Sequence, residues 1–250
     1  MKEATRMTIS KQDIAASNIA ELQSNSYPGR GIVIGLTPDA TRLVQVYWIM
    51  GRSVNSRNRV FIRETNGYVR TEAKDPAKLT DPSLIIYYPV KNVATAHIVT
   101  NGDQTDTIFD AISGGGTFEQ ALSTRTYEPD APNYTPRISG IVDLRNRKAA
   151  YQLSILKSNL GDPEQTQRHV FNYEQPTVGY GHLIHTYQGD GNPLPSFVGE
   201  PRLVPLQDDI NANVTTYWDL LDRDNRVALL VKTIRLSNGE TELRIVNRED

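Results

Sequence analysis

Four polar stretches carry the side chains that could do chemistry in this chain. The first, "GRSVNSRNRVFIR", holds Arg52, Arg57, Arg59 and Arg63. A guanidinium is a planar fork of donors, so two converging arginines can clamp a phosphate bidentately. Read as extended chain, the segment puts Arg57, Arg59 and Arg63 on one side. The same charges would also serve as a solvated strand edge that discourages pairing. The second stretch, "LIIYYPVKN", ends an apolar strand with Tyr87 and Tyr88, which must face opposite sides, one toward the core and one toward a cleft.

The third stretch, "VTNGDQTDTIFDAI", sets Asn101, Gly102, Asp103, Thr105 and Asp106 at a strand-to-helix junction. Thr105 or Asp103 can cap the helix that starts there, and Asn101-Gly102 can make the turn before it. The fourth, "TYEPDAPNYTPRISG", offers Tyr127, Glu128, Asp130, Asn133 and Arg137 among prolines. Prolines stiffen a loop at low entropic cost, and a stiff loop can hold a carboxylate within reach of a proton it must move. A surface turn with ordinary charge scatter would look the same.

Other motifs point nowhere. His182 and His185 share an HxxH spacing, yet extended chain sends them to opposite faces, against a metal pair. "ISGGGTF" follows a helix and lacks the Lys of a phosphate loop, and "GDGNP" lacks the distant Glu of a calcium loop.

The elements that must position these groups are mostly strands. "GIVIGL" leads through "TPDAT" into "RLVQVYWIM" as a hairpin. Asn66-Gly67 and Asn238-Gly239 mark two more, because Asn-Gly suits turns with positive φ at both central residues. "ISGIVDL" and "AAYQLSIL" make a fourth pair around "RNRK". Helical patterns fall at 105–113 and 117–125, at 209–221 with Ile210, Val214, Trp218 and Leu221 on one face, and at 10–23 behind a Ser10 cap. Antiparallel strands with segregated helices predict an α+β fold with helices covering the outer faces of packed sheets. The loop 186–205 is long and rich in Gly and Pro, as functional loops often are.

Composition narrows the chemistry further. At 250 residues the chain can bury a large core as a single domain. Lys plus Arg number 27 against 29 acidic residues, a net charge of −2 that offers no broad field for nucleic acid or an anionic membrane. There is no cysteine and only four histidines, so oxygen and nitrogen side chains must do the work. No window approaches the roughly eighteen apolar residues of a membrane span, and no signal peptide is evident. The expected location is the cytoplasm.

Three pieces occur in one order: "YWIMGRSVNSRNR", "YYPVKNVATAHIVTNGDQTDTI" and "TYEPDAPNYTPRI". Together they resemble the archaeal-type IMP cyclohydrolase family over about residues 27–140, with "TYQGDGNPLPSF" a further candidate loop. The resemblance implies a four-layer αββα sandwich of mostly antiparallel sheets, similar to the N-terminal-nucleophile hydrolases. It implies residues 1–26 as a helical extension and 27–250 as one catalytic domain. The strand at Gly31 does not begin with Ser, Thr or Cys, so the usual nucleophile of that fold is missing. The implied reaction closes the purine ring of 5-formamidoimidazole-4-carboxamide ribonucleotide to IMP and water, without metal or redox cofactor. By resemblance Tyr87 and Glu128 are the catalytic, proton-transfer pair. Arg52, Arg57, Asn101, Thr105, Asp106, Asn133 and Arg137 are the substrate-binding set, with Arg57 and Arg52 on the phosphate and Asp106 and Arg137 alternatively an ion pair. The implied partner is a small purine ribonucleotide, with a homo-oligomer left open. Two other readings stay open: a nucleotide-binding relative without turnover, and an amide hydrolase on the same fold.

Overall fold

In the computed structural model, residues 9–79, 82 and 85–249 are described. In chain order they form α1 (Lys11–Ser24), β1 (Gly31–Leu36), β2 (Arg42–Met50), α2 (Val54–Arg57), β3 (Val60–Arg63), β4 (Val69–Glu72), β5 (Val90–Val93), β6 (Ala96–Thr100), α3 (Gln104–Ser113), α4 (Phe118–Ser123), β7 (Arg137–Asp143), β8 (Tyr151–Asn159), β9 (Asp162–Tyr173), β10 (Tyr180–His185), β11 (Arg202–Pro205), α5 (Ile210–Leu220), β12 (Arg226–Arg235) and β13 (Thr241–Asn247). The class is α+β. One six-stranded sheet runs β11-β10-β1-β2-β12-β13 and a seven-stranded sheet runs β3-β4-β5-β6-β7-β8-β9, with every strand pair antiparallel. All four expected hairpins form: β1/β2, β3/β4, β7/β8 and β12/β13.

The strand period of two explains why the sequence reads as unbroken apolar runs. In β2, Leu43, Tyr47 and Ile49 join a core shared by the two sheets, while Val44, Val46, Trp48 and Met50 turn to the outer face. There they meet Leu22 of α1 and Tyr217 of α5, with Trp48 stacked on Tyr217 at 6.4 Å. The other sheet behaves likewise: Val99 and Ile138 face the shared core, and Ile98 and Ile141 pack under Ile108 of α3 and Phe118 of α4. Gly140 allows the sheets to meet closely, because a Cβ there would lie 2.5 Å from Ile34 Cδ1.

Several local expectations shift. Ser10 caps α1, its hydroxyl accepting from Asp13 N–H at 3.1 Å. The expected face of α5 packs inward, with Ile210 and Leu221 buried and Val214 and Trp218 half-buried against the same core, and Asn213 and Tyr217 are buried beside it. Asn213 goes inside because its amide donates to Gln207 O and accepts from Gln207 N–H. The tyrosine pair is not on a strand: Tyr87 and Tyr88 precede β5, although they do face opposite ways. Among the described residues no helix is long and apolar enough to cross a membrane, and no cluster of His, Asp and Glu could hold a metal ion.

A polar layer lies inside the shared core. Gln45 and Lys232 are cross-strand partners, and Gln45 Nε2 donates to His97 O at 3.0 Å. Lys232 Nζ is buried with no hydrogen-bond partner among the described residues. Burial pushes its ammonium down to about 8 and, with Lys232 nearby, pushes His97 down to about 3. The unfolded chain therefore holds the Lys232 proton more tightly than the folded one. The penalty is full below about pH 8, shrinks as pH rises toward 10.5 and then vanishes. Lys232→Met is expected to raise unfolding stability at pH 7 by about 1–3 kcal/mol, and to give no gain near pH 10.5. Urea unfolding at both pH values decides it; an unchanged midpoint at pH 7 would show that the buried charge costs nothing.

Candidate active site

The carboxylate of Glu128 and the guanidinium of Arg30 meet at one end of the shared core. Arg30 precedes β1 and follows Gly29, whose φ of +75° suits the turn. Its backbone is locked to the chain leaving β10: Arg30 N–H donates to Thr186 Oγ1 at 3.1 Å, and Thr186 N–H donates to Arg30 O at 2.9 Å. Arg30 Nη2 then donates to Glu128 Oε2 at 3.2 Å, with Glu128 only 2 % exposed.

Asn101, at the end of β6, fixes the other side of Glu128. Its Nδ2 donates to Pro136 O at 2.9 Å and lies 3.5 Å from Glu128 Oε1. Its Oδ1 accepts from Ile138 N–H at 2.8 Å and from Gln104 Nε2 at 3.0 Å. The Glu128 loop is itself braced, as Glu128 N–H donates to Thr135 O and Asp130 accepts from Thr135 N–H.

Tyr87 completes the group from the opposite wall. Thr71 of β4 pins it, accepting from Tyr87 N–H at 2.9 Å and donating to Tyr87 O at 3.1 Å. The Tyr87 hydroxyl lies 2.7 Å from that of Tyr47. Arg59, just after α2, is buried beside them; its Nε donates to Ser56 O at 2.9 Å, and its Nη1 has no partner among the described residues. Arg30 Nε is unpartnered in the same sense. A buried donor without a partner calls for an explanation, and here two of them lie beside Glu128 and Tyr87.

Burial dominates the electrostatics. Desolvation lifts Glu128 above the ordinary carboxylate range, although Arg30, Arg137 and Arg59 all pull it down. Desolvation likewise lifts Tyr87, against Arg59 and Arg30. It opposes the Arg30 charge too, yet Glu128 and the tyrosine oxygens keep that guanidinium protonated. The arrangement presents two weak acids beside two fixed cations, which can donate protons to a departing group and stabilise a developing oxyanion.

The remaining expected residues make other contacts. Arg57 ends the helical turn α2, which replaces the expected extended segment, and donates to Gly51 O and Asn225 Oδ1. Arg52 lies over the Tyr27 ring and pairs with Asp190. Asn133 Oδ1 accepts from Leu194 N–H at 3.0 Å, tying two loops together. Thr105 does not cap α3; its hydroxyl lies 2.6 Å from that of Thr100 and donates to Gly102 O. Asp103 makes no cap either, because Arg125 and Arg137 take its carboxylate at 2.6 and 2.5 Å. The alternative pairing of Asp106 with Arg137 does not form. Asp106 lies on the face of α3 against β5 and pairs with Lys91 at 2.5 Å, while Arg137 turns to Asp103 and Gln104.

Arg30 and Tyr47 are site groups the sequence reading did not name, and Arg59, named in the arginine-rich stretch, was outside the substrate-binding set. Arg30 had one signal, a charge directly before a wholly apolar strand. Tyr47 had none, being one aromatic in an apolar run.

A family model described as IMP cyclohydrolase-like protein matches residues 27–239. The chain belongs to this family. It is 36% identical over 174 residues to an IMP cyclohydrolase of Methanopyrus kandleri, an alignment covering 68% of this chain and 79% of that relative. An IMP cyclohydrolase of Methanococcus maripaludis is 36% identical over 120 residues, covering 46% of this chain and 58% of the relative. One of Methanocella arvoryzae is 31% identical over 138 residues, covering 54% and 65%.

The electrostatics of this IMP cyclohydrolase-like site can be tested directly. Arg30 holds the Glu128 carboxyl down, so Arg30→Met should move its titration further up the pH scale. Carbon-13 NMR of the Glu128 carboxyl measures it; a downward move would show that the two side chains do not pair in solution.

Proposed function

We propose that this chain closes the purine ring of 5-formamidoimidazole-4-carboxamide ribonucleotide, giving IMP and water. The observation that carries the reading is the buried Glu128, raised toward its acid form between Arg30 and Asn101, in a chain of the IMP cyclohydrolase-like family. Nucleophile and electrophile already share one molecule, so the enzyme has only to select the reactive rotamer and move protons. The carboxamide nitrogen forms the new C–N bond to the formyl carbon and loses a proton. The formamide nitrogen loses a second proton as its C=N bond forms, and the formyl oxygen takes up both protons and leaves as water.

In this reading Glu128 protonates the departing oxygen, and Tyr87, held by Tyr47, is its proton partner. The unpartnered Nη1 of Arg59 stabilises the tetrahedral oxyanion, with Arg30 beside it. Asn101 orients the substrate amide. Arg52 and Arg57, at the outer end of the site, take the phosphate. Thr105, Asp106, Asn133 and Arg137 contribute by holding the walls, through the contacts to Thr100, Lys91, Leu194 and Asp103.

We read the two sheets and their covering helices as a four-layer αββα sandwich of N-terminal-nucleophile type, with residues 9–26 of the extension docked through α1 and residues 1–8 outside the described residues. Gly31 at the start of β1 carries no nucleophile, which favours cyclohydrolase over amide hydrolase chemistry. A cytoplasmic location fits a soluble ribonucleotide substrate.

The test is IMP formation by purified protein in the presence of chelator. Glu128→Gln is expected to lower kcat at least about a hundredfold while IMP binding stays within a few-fold. Retained turnover in that variant would remove Glu128 from proton transfer. Nucleotide binding without turnover in the unaltered chain would leave a binding protein on this fold.

A further inference from the structure

Arg52 stands at the outer end of a line of side chains that runs inward to Glu128. Its guanidinium lies 4.8 Å from the Tyr27 ring centroid, and Tyr27 stacks on Tyr187 at 5.9 Å. The Tyr187 hydroxyl bonds Thr135, and burial pushes it up to about 12 against the pull of Arg30. One nitrogen of the guanidinium is already occupied. Arg52 Nη1 donates to the Asp190 carboxylate and, at 3.2 Å, to Gly191 O.

Asp190 arrives on an anchored loop. Asn25 Nδ2 donates to Gln188 O at 3.0 Å, Gln188 N–H to Pro195 O at 2.9 Å, and Leu194 N–H to Asn133 Oδ1 at 3.0 Å. The Asp190 side chain itself is half exposed, as is that of Arg52. It can therefore swing off the guanidinium without unfolding its loop. A carboxylate and a phosphate present the same pair of oxygens to an arginine edge, so one can stand in for the other.

We propose that Asp190 is an exchangeable counter-ion that holds Arg52 over Tyr27 until the phosphate of a nucleotide displaces it; this rests on the nucleotide reading of the site. Asp190 then does two things. It keeps Arg52 pre-organised in the empty enzyme. It also competes with the phosphate, which weakens ground-state binding of substrate and product alike and speeds product release.

Calorimetric titration of IMP, inosine and inorganic phosphate into the full chain tests the idea. A half-exposed ion pair is weak, so Asp190→Asn should tighten IMP and inorganic phosphate by about threefold to fivefold and leave inosine unchanged. Arg52→Ala should abolish that gain when combined with Asp190→Asn. Unchanged or weaker IMP binding in Asp190→Asn overturns the proposal, because Asp190 would then only position Arg52. Equal tightening of inosine also overturns it, since the effect would not run through phosphate. Should the unaltered chain bind no IMP, the nucleotide reading falls, and the inorganic phosphate arm still decides whether Asp190 competes at Arg52.

Discussion

A carboxyl group held away from water beside an arginine is the constraint on which the site depends. Desolvation of Glu128 costs more than Arg30, Arg137 and Arg59 recover, so its acid form is favoured above the ordinary carboxylate range. Buried pairs of this kind add little to stability over an apolar replacement. Their value lies in tuned protonation. Keeping the pair dry needs both sheets, since Arg30 comes from the chain entering one and Glu128 from the chain entering the other.

The polar residues around it mostly serve geometry. Asn101 satisfies its amide on Pro136, Ile138 and Gln104 before it approaches Glu128, so its orientation is set by backbone rather than by substrate. Thr71 does the same for Tyr87. Gly102 is small for a related reason: a Cβ there would lie 2.6 Å from Arg137 Nη1 and 2.7 Å from Gln104 Oε1, disturbing the pair that positions the loop. Pre-organised donors of this kind need no rearrangement when charge develops.

The arginine-rich segment shows how a single helical turn divides labour. Val54–Arg57 closes on a Ser53 capping box, so Arg57 leaves toward Asn225 while Arg59, past the turn, is drawn into the interior. Arg52, before the turn, stays at the surface with Tyr27 and Asp190. One stretch thus supplies both an interior cation and outer cations.

Much of this was legible in one dimension. The Asn-Gly turns and apolar runs specify hairpins because turn geometry and side-chain alternation are local properties. The ordered motifs around Asn101, Glu128 and Arg137 pointed to the family, and Asn101 and Glu128 do meet. What local pattern could not reveal was which polar groups share a buried space. Asp106 and Asp103 are equally acidic and three residues apart, yet one pairs with Lys91 and the other with Arg125 and Arg137, because the segments packed against each present different cations. Arg30, Tyr47, Tyr87 and Glu128 are distant along the chain and adjacent only through the packing of two sheets. The sequence alone determined the strands, their turns and the inventory of acids and cations. Only the tertiary structure decided which were stripped of water and brought into contact, because desolvation and charge proximity are properties of the packed interior rather than of neighbours in sequence.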